Sequence, residues 1–113
     1  MAIYLNTSTP KKLLAAFKKA IDDSHISRWS YDSDGDFTHT SEEWSRKAWL
    51  RPKISEGTRL SLFIIAPADT SISSEVYAVY HARFMEAMLR HCDSLFNESI
   101  VTAMPAAGDK VKS

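Results

Sequence analysis

The sequence predicts an α+β fold: an antiparallel four-stranded sheet made of two hairpins, with an N-terminal and a C-terminal helix packed on one face. Three observations carry this. Apolar residues recur at helical spacing in two long segments, one towards each end. Two turn signals, Asp34-Gly35 and Ser55-Glu56-Gly57, lie between those segments. The stretches flanking the turns are rich in aromatic and branched residues, which suit a half-buried pleated surface.

Thr9 is placed to cap the first helix, and Pro10 follows at a position where its missing N–H costs nothing. Leu13, Leu14, Phe17, Ala20 and Ile21 form its buried stripe, and it should end near Ser24. Lys11 and Lys12 at its start and Asp22 and Asp23 at its end oppose the macrodipole, an arrangement that the spacings Lys18–Asp22 and Lys19–Asp23 partly offset. The four lysines read as a solvated surface in preference to an anion-binding face.

A strand from Ile26 to Tyr31 should turn at Asp34-Gly35, a type I′ signal, and return as Phe37 to His39. Thr40 with Glu43 three residues later reads as a capping box opening one or two helical turns that carry Trp44. The third strand runs from Ala48 to Ile54, with Pro52 marking an edge or bulge. The fourth runs from Thr58 to Ile65 after a three-residue loop, Ser55-Glu56-Gly57. That loop sets Ala48, Leu50 and Ile54 on the face of Leu60, Leu62 and Ile64. It also sets Trp49 opposite Phe63, Arg51 opposite Ser61 and Lys53 near Arg59. Ser73 caps the last helix, whose stripe is Tyr77, Tyr80, Phe84, Met88 and Leu95. Glu75, Arg83, Glu86, Arg90 and Asp93 fall on its far side, and the helix should end near Phe96-Asn97. Ile100 and Val101 pack briefly. Residues 1–104 then form a single domain and 105–113 a disordered tail.

Composition bounds the function. In 113 residues, 44% are hydrophobic, enough for a real core. Fourteen basic and fourteen acidic side chains cancel, which argues against a dedicated nucleic-acid binder and gives little electrostatic protection from self-association. The single cysteine, Cys92, forms no intramolecular disulfide and suits a reducing cytosol. The start, Met1 to Asn6, lacks the pattern of a signal peptide, and the longest apolar run, Leu62 to Ala66, is too short to span a membrane. A cytoplasmic protein with no membrane partner is the expectation.

The stretch from Asp32 to Glu43 also reads as a calcium loop. Asp32, Asp34, Asp36, Thr38, Thr40 and Glu43 occupy the ligand positions of an EF-hand loop, which these twelve residues resemble locally. Phe37 stands where that loop needs glycine, His39 stands where it has an aliphatic residue, and no incoming helix or sister loop is present. The hairpin is therefore the preferred reading, no metal is favoured, and calcium on Asp32, Asp34, Asp36 and Glu43 is the alternative.

Catalytic candidates are few. His39 with Asp36, Glu42 or Glu43 has the residue types of an acid–base pair. His81 sits on the edge of the last helix's apolar stripe, where it faces either a cleft beside Tyr77 and Tyr80 or a hydrogen-bonded core position. No Ser-His-Asp order, phosphate loop or zinc spacing is present. On the third strand, Trp49, Arg51 and Lys53 share a face, near Phe63 and Ile65 of the fourth. This combination suits a protein interface, and also a platform for single-stranded nucleic acid, which the net charge disfavours.

The run Gly35-Asp36-Phe37-Thr38-His39, then Trp44, then Lys47-Ala48-Trp49-Leu50-Arg51-Pro52 resembles uncharacterised small bacterial proteins, some of them carried on mobile integron gene cassettes. The resemblance implies a bacterial cytosolic protein and no activity. The sequence thus points to a small binding or interaction protein. It should be homodimeric through the face of Trp49, Phe63 and Ile65, with a protein partner or a small ligand held between helix and sheet. An enzyme using His39 is the alternative.

Overall fold

A computed structural model describes residues 2–55 and 57–112. It is an α+β fold with two helices and one antiparallel sheet. The sheet has six strands among the described residues, where four were expected. In chain order the elements are β1 (Ala2–Asn6), α1 (Pro10–Asp22), β2 (Trp29–Tyr31), β3 (Phe37–His39), β4 (Trp49–Ser55), β5 (Arg59–Ile65), α2 (Ser74–Cys92) and β6 (Glu98–Val101). The strand order across the sheet is β2-β3-β4-β5-β1-β6.

The two additional strands are β1 and β6. In β1, Ile3 and Leu5 are fully buried while Tyr4 and Asn6 are half-buried, a two-residue alternation carried over only five residues. In β6 all four residues are exposed, so no apolar pattern marks it. α2 ends at Cys92, earlier than its stripe suggests. A single 3-10 turn, Asp93–Leu95, delivers the chain to this last strand.

The helix boundaries follow local chemistry. Thr9 precedes α1 but makes no side-chain cap; its own N–H donates to Thr7 Oγ1 at 3.1 Å. At the other end Ser24 adopts a left-handed φ of 63°, and the N–H groups of His25 and Ile26 both reach Ala20 O, closing the helix. Lys19 pairs with Asp23 at 2.6 Å as its spacing suggests, whereas Asp22 accepts from the Tyr31 hydroxyl at 2.7 Å. Ser73 does cap α2, accepting from Val76 N–H at 3.2 Å.

The first hairpin is not type I′, which needs positive φ at two residues. Gly35 N–H donates to Asp32 O, Asp32 N–H donates to Asp36 O, and of these residues only Gly35 has positive φ, 85°. This is a type I turn followed by a glycine bulge. Asp32 Oδ1 holds it by accepting from the N–H groups of Asp34 and Asp36, both at 3.0 Å. After β3, Thr40 forms no capping box. Its hydroxyl donates to Ser27 O at 3.3 Å, and the following residues make a turn closed by Ser45 N–H on Ser41 O at 2.8 Å.

The β4–β5 register differs from expectation by two residues. Trp49 pairs with Ile65, Arg51 with Phe63, Lys53 with Ser61 and Ser55 with Arg59. β4 runs on through Ser55, so the connection is residues 56–58 instead of 55–57, with Gly57 at φ 68°. Glu56, part of the expected loop, lies outside the described residues. A shift of two preserves the faces, and Ala48, Leu50, Leu60, Leu62 and Ile64 are all fully buried together.

Both helices contribute to this core. Phe17 of α1 meets Phe84 of α2 at 4.8 Å between ring centroids, and both meet Phe37 of β3. The chain from Pro105, expected to be disordered, is described through Lys112. There Lys110 N–H donates to Ile64 O, Ala66 N–H to Lys110 O, and Ile64 N–H to Asp109 Oδ1. Gly108 lies on the Phe63 ring so closely that a Cβ there would come within 2.6 Å of it.

Tyr80 anchors the turn between β3 and β4. Its buried hydroxyl donates to Trp44 O, accepts from Lys47 N–H at 3.2 Å and lies 3.2 Å from Thr38 Oγ1. Tyr80→Phe keeps the ring and strands these partners. It should lower unfolding stability by about 1–3 kcal/mol, read as a lower urea midpoint at unchanged slope.

Candidate functional site

The residues of interest separate into three places. The acidic hairpin tip is the first. Asp36 is 5% exposed and its carboxylate receives Arg51 Nε at 3.1 Å and Nη2 at 2.9 Å, a two-point ion pair. That pair holds the Arg51 guanidinium even more firmly protonated than usual. Asp32 spends one oxygen on the turn. Among the described residues no three His, Cys, Asp or Glu side chains gather as a metal-holding group.

The second place is the open side of the sheet, which carries Tyr4, Arg51, Lys53, Arg59 and Phe63. Two shallow grooves, about 730 and 560 Å³, run along it. Its aromatic faces are already occupied. The Arg59 guanidinium sits 4.8 Å from the Tyr4 ring centre, Tyr4 meets Phe63 edge-on, and Gly108 rests on Phe63. Trp49, Phe63 and Ile65 are half-buried. Among the described residues the large apolar side chains that stand out from the surface are Leu89, Ile100, Val101 and Met104, of which Ile100, opposite Tyr4, is on this side at the β6 edge.

The third place is a polar cleft of about 430 Å³ between α2 and the segment that enters β2. α2 supplies Arg83, Glu86, Ala87, Arg90 and His91, whose spacing puts them along one helix face. The chain between α1 and β2 supplies His25 and Arg28, and β3 supplies His39. Three guanidinium groups face this space with one carboxylate, Glu86. The ion pairs found among the described residues, Lys19–Asp23 and Arg51–Asp36, involve none of them. Arg83 also lies 5.9 Å from the Trp44 ring centre, a cation–π contact that steadies it at the cleft wall.

His39 reports the field inside. It is 1% exposed, its ring meets Trp29 edge-on at 5.1 Å, and Nδ1 accepts from Ser41 N–H at 3.2 Å. Burial pushes its pKa down, and the charges of Arg83 and Arg28 push it further. The ring is therefore neutral with its hydrogen on Nε2. No hydrogen bond joins it to Asp36, Glu42 or Glu43. Asp36 is turned to Arg51, and Glu42 and Glu43 are exposed in the turn beyond β3. His81 is also buried, with Nδ1 donating to Tyr77 O at 2.7 Å and its ring stacked on Tyr77 at 4.2 Å. Tyr77 and Tyr80 are core residues.

The sequence reading places Arg83, Glu86 and Arg90 on the solvated side of α2. The cleft arises because the residues from His25 to Arg28 cross that side. The helical spacing of two arginines was visible, but Arg28 and His25 join them only through the tertiary fold.

A depressed histidine pKa has a definite consequence for stability. The unfolded chain takes up a proton near the ordinary value of 6.5 while folded His39 resists it. Its contribution is therefore whole above that pH and is lost as pH falls through the window below 6.5 towards the folded pKa. The thermal midpoint should drop with acidification through this window, and more steeply in the wild type than in His39→Gln. Parallel curves for the two proteins would assign the drop to other groups.

In comparisons with known proteins, no family model matches this chain, and neither a curated protein nor a solved structure matches it.

Proposed function

We propose that this protein binds a small anionic ligand in the cleft between α2 and the entry to β2. The observation that carries the reading is the convergence of Arg28, Arg83 and Arg90 on one polar space with a single carboxylate, Glu86. Arginine presents a rigid fork of donors that matches carboxylate and phosphate oxygens, and three such groups without an ion-pair partner among the described residues leave positive potential there. The cleft volume falls within the usual range for small-molecule sites, about 300–1,000 Å³. His39, neutral with its hydrogen on Nε2, is a donor to any oxygen that reaches it. This suits binding better than general-base catalysis, because Nδ1, the nitrogen with a free lone pair, is occupied by Ser41 N–H. The ligand thus lies between a helix and the sheet edge, with His25 and His91 exposed at the rim.

Thermal unfolding with phosphate, sulfate or citrate, each against sodium chloride of equal ionic strength, tests the reading. Multivalent anions should raise the midpoint in a saturable way, since a ligand of the folded state alone stabilises it in proportion to the logarithm of its concentration. Arg28→Ala with Arg90→Ala should remove the saturable rise and leave the midpoint without anion nearly unchanged, both residues being exposed. An undiminished rise in that double variant would place the anion elsewhere and overturn the proposal.

A further inference from the structure

The sheet has one edge, β6, along which no other segment of the described chain pairs. β6 is the outermost strand beside β1, and each of its residues is exposed. Ile100 is 43% exposed, Val101 48% and Met104, just beyond, 75%. Edge strands are normally guarded by lysine, proline or a covering segment, because their free N–H and C=O groups template pairing with another strand. The segment Glu98-Ser99-Ile100-Val101 has neither lysine nor proline, and the C-terminal residues 109–112 lie along β5 and Ser71 instead.

The hydrogen-bond phase of this edge is fixed by its neighbours. Thr7 N–H donates to Thr58 O, so the odd-numbered residues of β1 bond to β5. Thr102 N–H donates to Ala2 O, so the even-numbered residues bond to β6. Glu98 and Ile100 therefore face β1, and the backbone groups of Ser99 and Val101 face outward.

We infer that β6 pairs antiparallel with β6 of a second copy of this chain, joining two sheets across a two-fold axis at Ile100. In that register Ser99 and Val101 of one copy exchange both backbone bonds with Val101 and Ser99 of the other. Ile100 meets its own counterpart in the closer, non-hydrogen-bonded type of pair. Glu98 is the edge's charged residue. It falls opposite Thr102, so the two carboxylates stay apart, and the net charge of zero adds no long-range repulsion between copies. Sliding the register by two residues one way sets Ile100 against Glu98 and Ser99 against Ser99, with no apolar pair; sliding it the other way sets Ile100 against Thr102 and leaves Val101 against Val101, in the wider, hydrogen-bonded type of pair. The occupant is a second copy because the edge meets itself with Ile100 against Ile100 and with no carboxylate opposed to another. A contact built on one short strand is smaller than the roughly 1,200 Å² of a stable interface, so the dimer forms with rising concentration and is not permanent.

The experiment combines sedimentation equilibrium of the full chain, from micromolar to millimolar concentration, with engineered cysteines. The native Cys92 is buried and stays out of the reaction. Mild oxidation should convert Ile100→Cys to a disulfide-linked dimer rapidly, because non-hydrogen-bonded pairs hold their Cβ atoms at disulfide range. Ser99→Cys and Leu89→Cys should react far more slowly. Val101→Pro removes an outward donor without touching the bonds to β1, and should hold the chain monomeric with an unchanged circular dichroism spectrum. A wild-type chain that stays monomeric across the range overturns the inference. So does a dimer that persists in Val101→Pro, or cross-linking of Ile100→Cys no faster than of Leu89→Cys.

Discussion

Phe84 holds the molecule together. Its ring meets Phe17 of α1, Trp29 of β2 and Phe37 of β3, so one side chain of α2 touches three other elements. Aromatic contacts of this kind are geometric as well as hydrophobic, and they fix the rotation of α2 about its own axis. Once Phe84 points inward, with Tyr80 and Met88 a turn to either side, the next helix face is determined. Arg83, Ala87 and Arg90 must then lie beside the chain entering β2. The cleft is thus a by-product of core packing, and its charge pattern follows from which residues the sequence spends on that face.

The same rotation accounts for the division of labour between the two imidazoles in the core. His81 follows Tyr77 by one turn, bonds its carbonyl and stacks on its ring, and so is used up in holding the helix's first half. His39 comes from β3, beyond the aromatic cluster, and reaches the arginine face. Burial and the two nearby guanidinium groups act in the same direction on it, so it stays neutral in a place where charge is supplied by arginine.

How much of this was legible in the chain depends on which periodicity each part carries. α1 and α2 were, because Leu13, Phe17, Tyr77, Tyr80 and Phe84 repeat at helical spacing and Ser73 caps as its type predicts. The faces of β4 and β5 were legible from the two-residue alternation of Ala48, Leu50, Leu60, Leu62 and Ile64. Their register was not, since Ser55 suits a turn and a strand equally, and only packing extends β4 through it. β1 offered just five residues, and β6 had no buried face to write into the sequence. The type I turn with Gly35 differs from a type I′ turn in the φ of its neighbour, which an aspartate tolerates either way. The cleft needed Arg28 and Arg83 brought together from distant segments, and no local pattern encodes that.

The position of β1 has a further consequence for how the protein is made. It lies between β5 and β6, yet it leaves the ribosome well before either. Ile3 and Leu5, which end fully buried, must wait in the nascent chain until Leu60 and Leu62 arrive, and the sheet closes only when residues 98–101 follow. Pairings this distant in sequence raise the contact order and slow folding. Through that interval α1 and the first hairpin have local partners and β1 has none. This apolar strand, one in from the edge of the finished sheet, is therefore the segment most exposed to wrong contacts during synthesis.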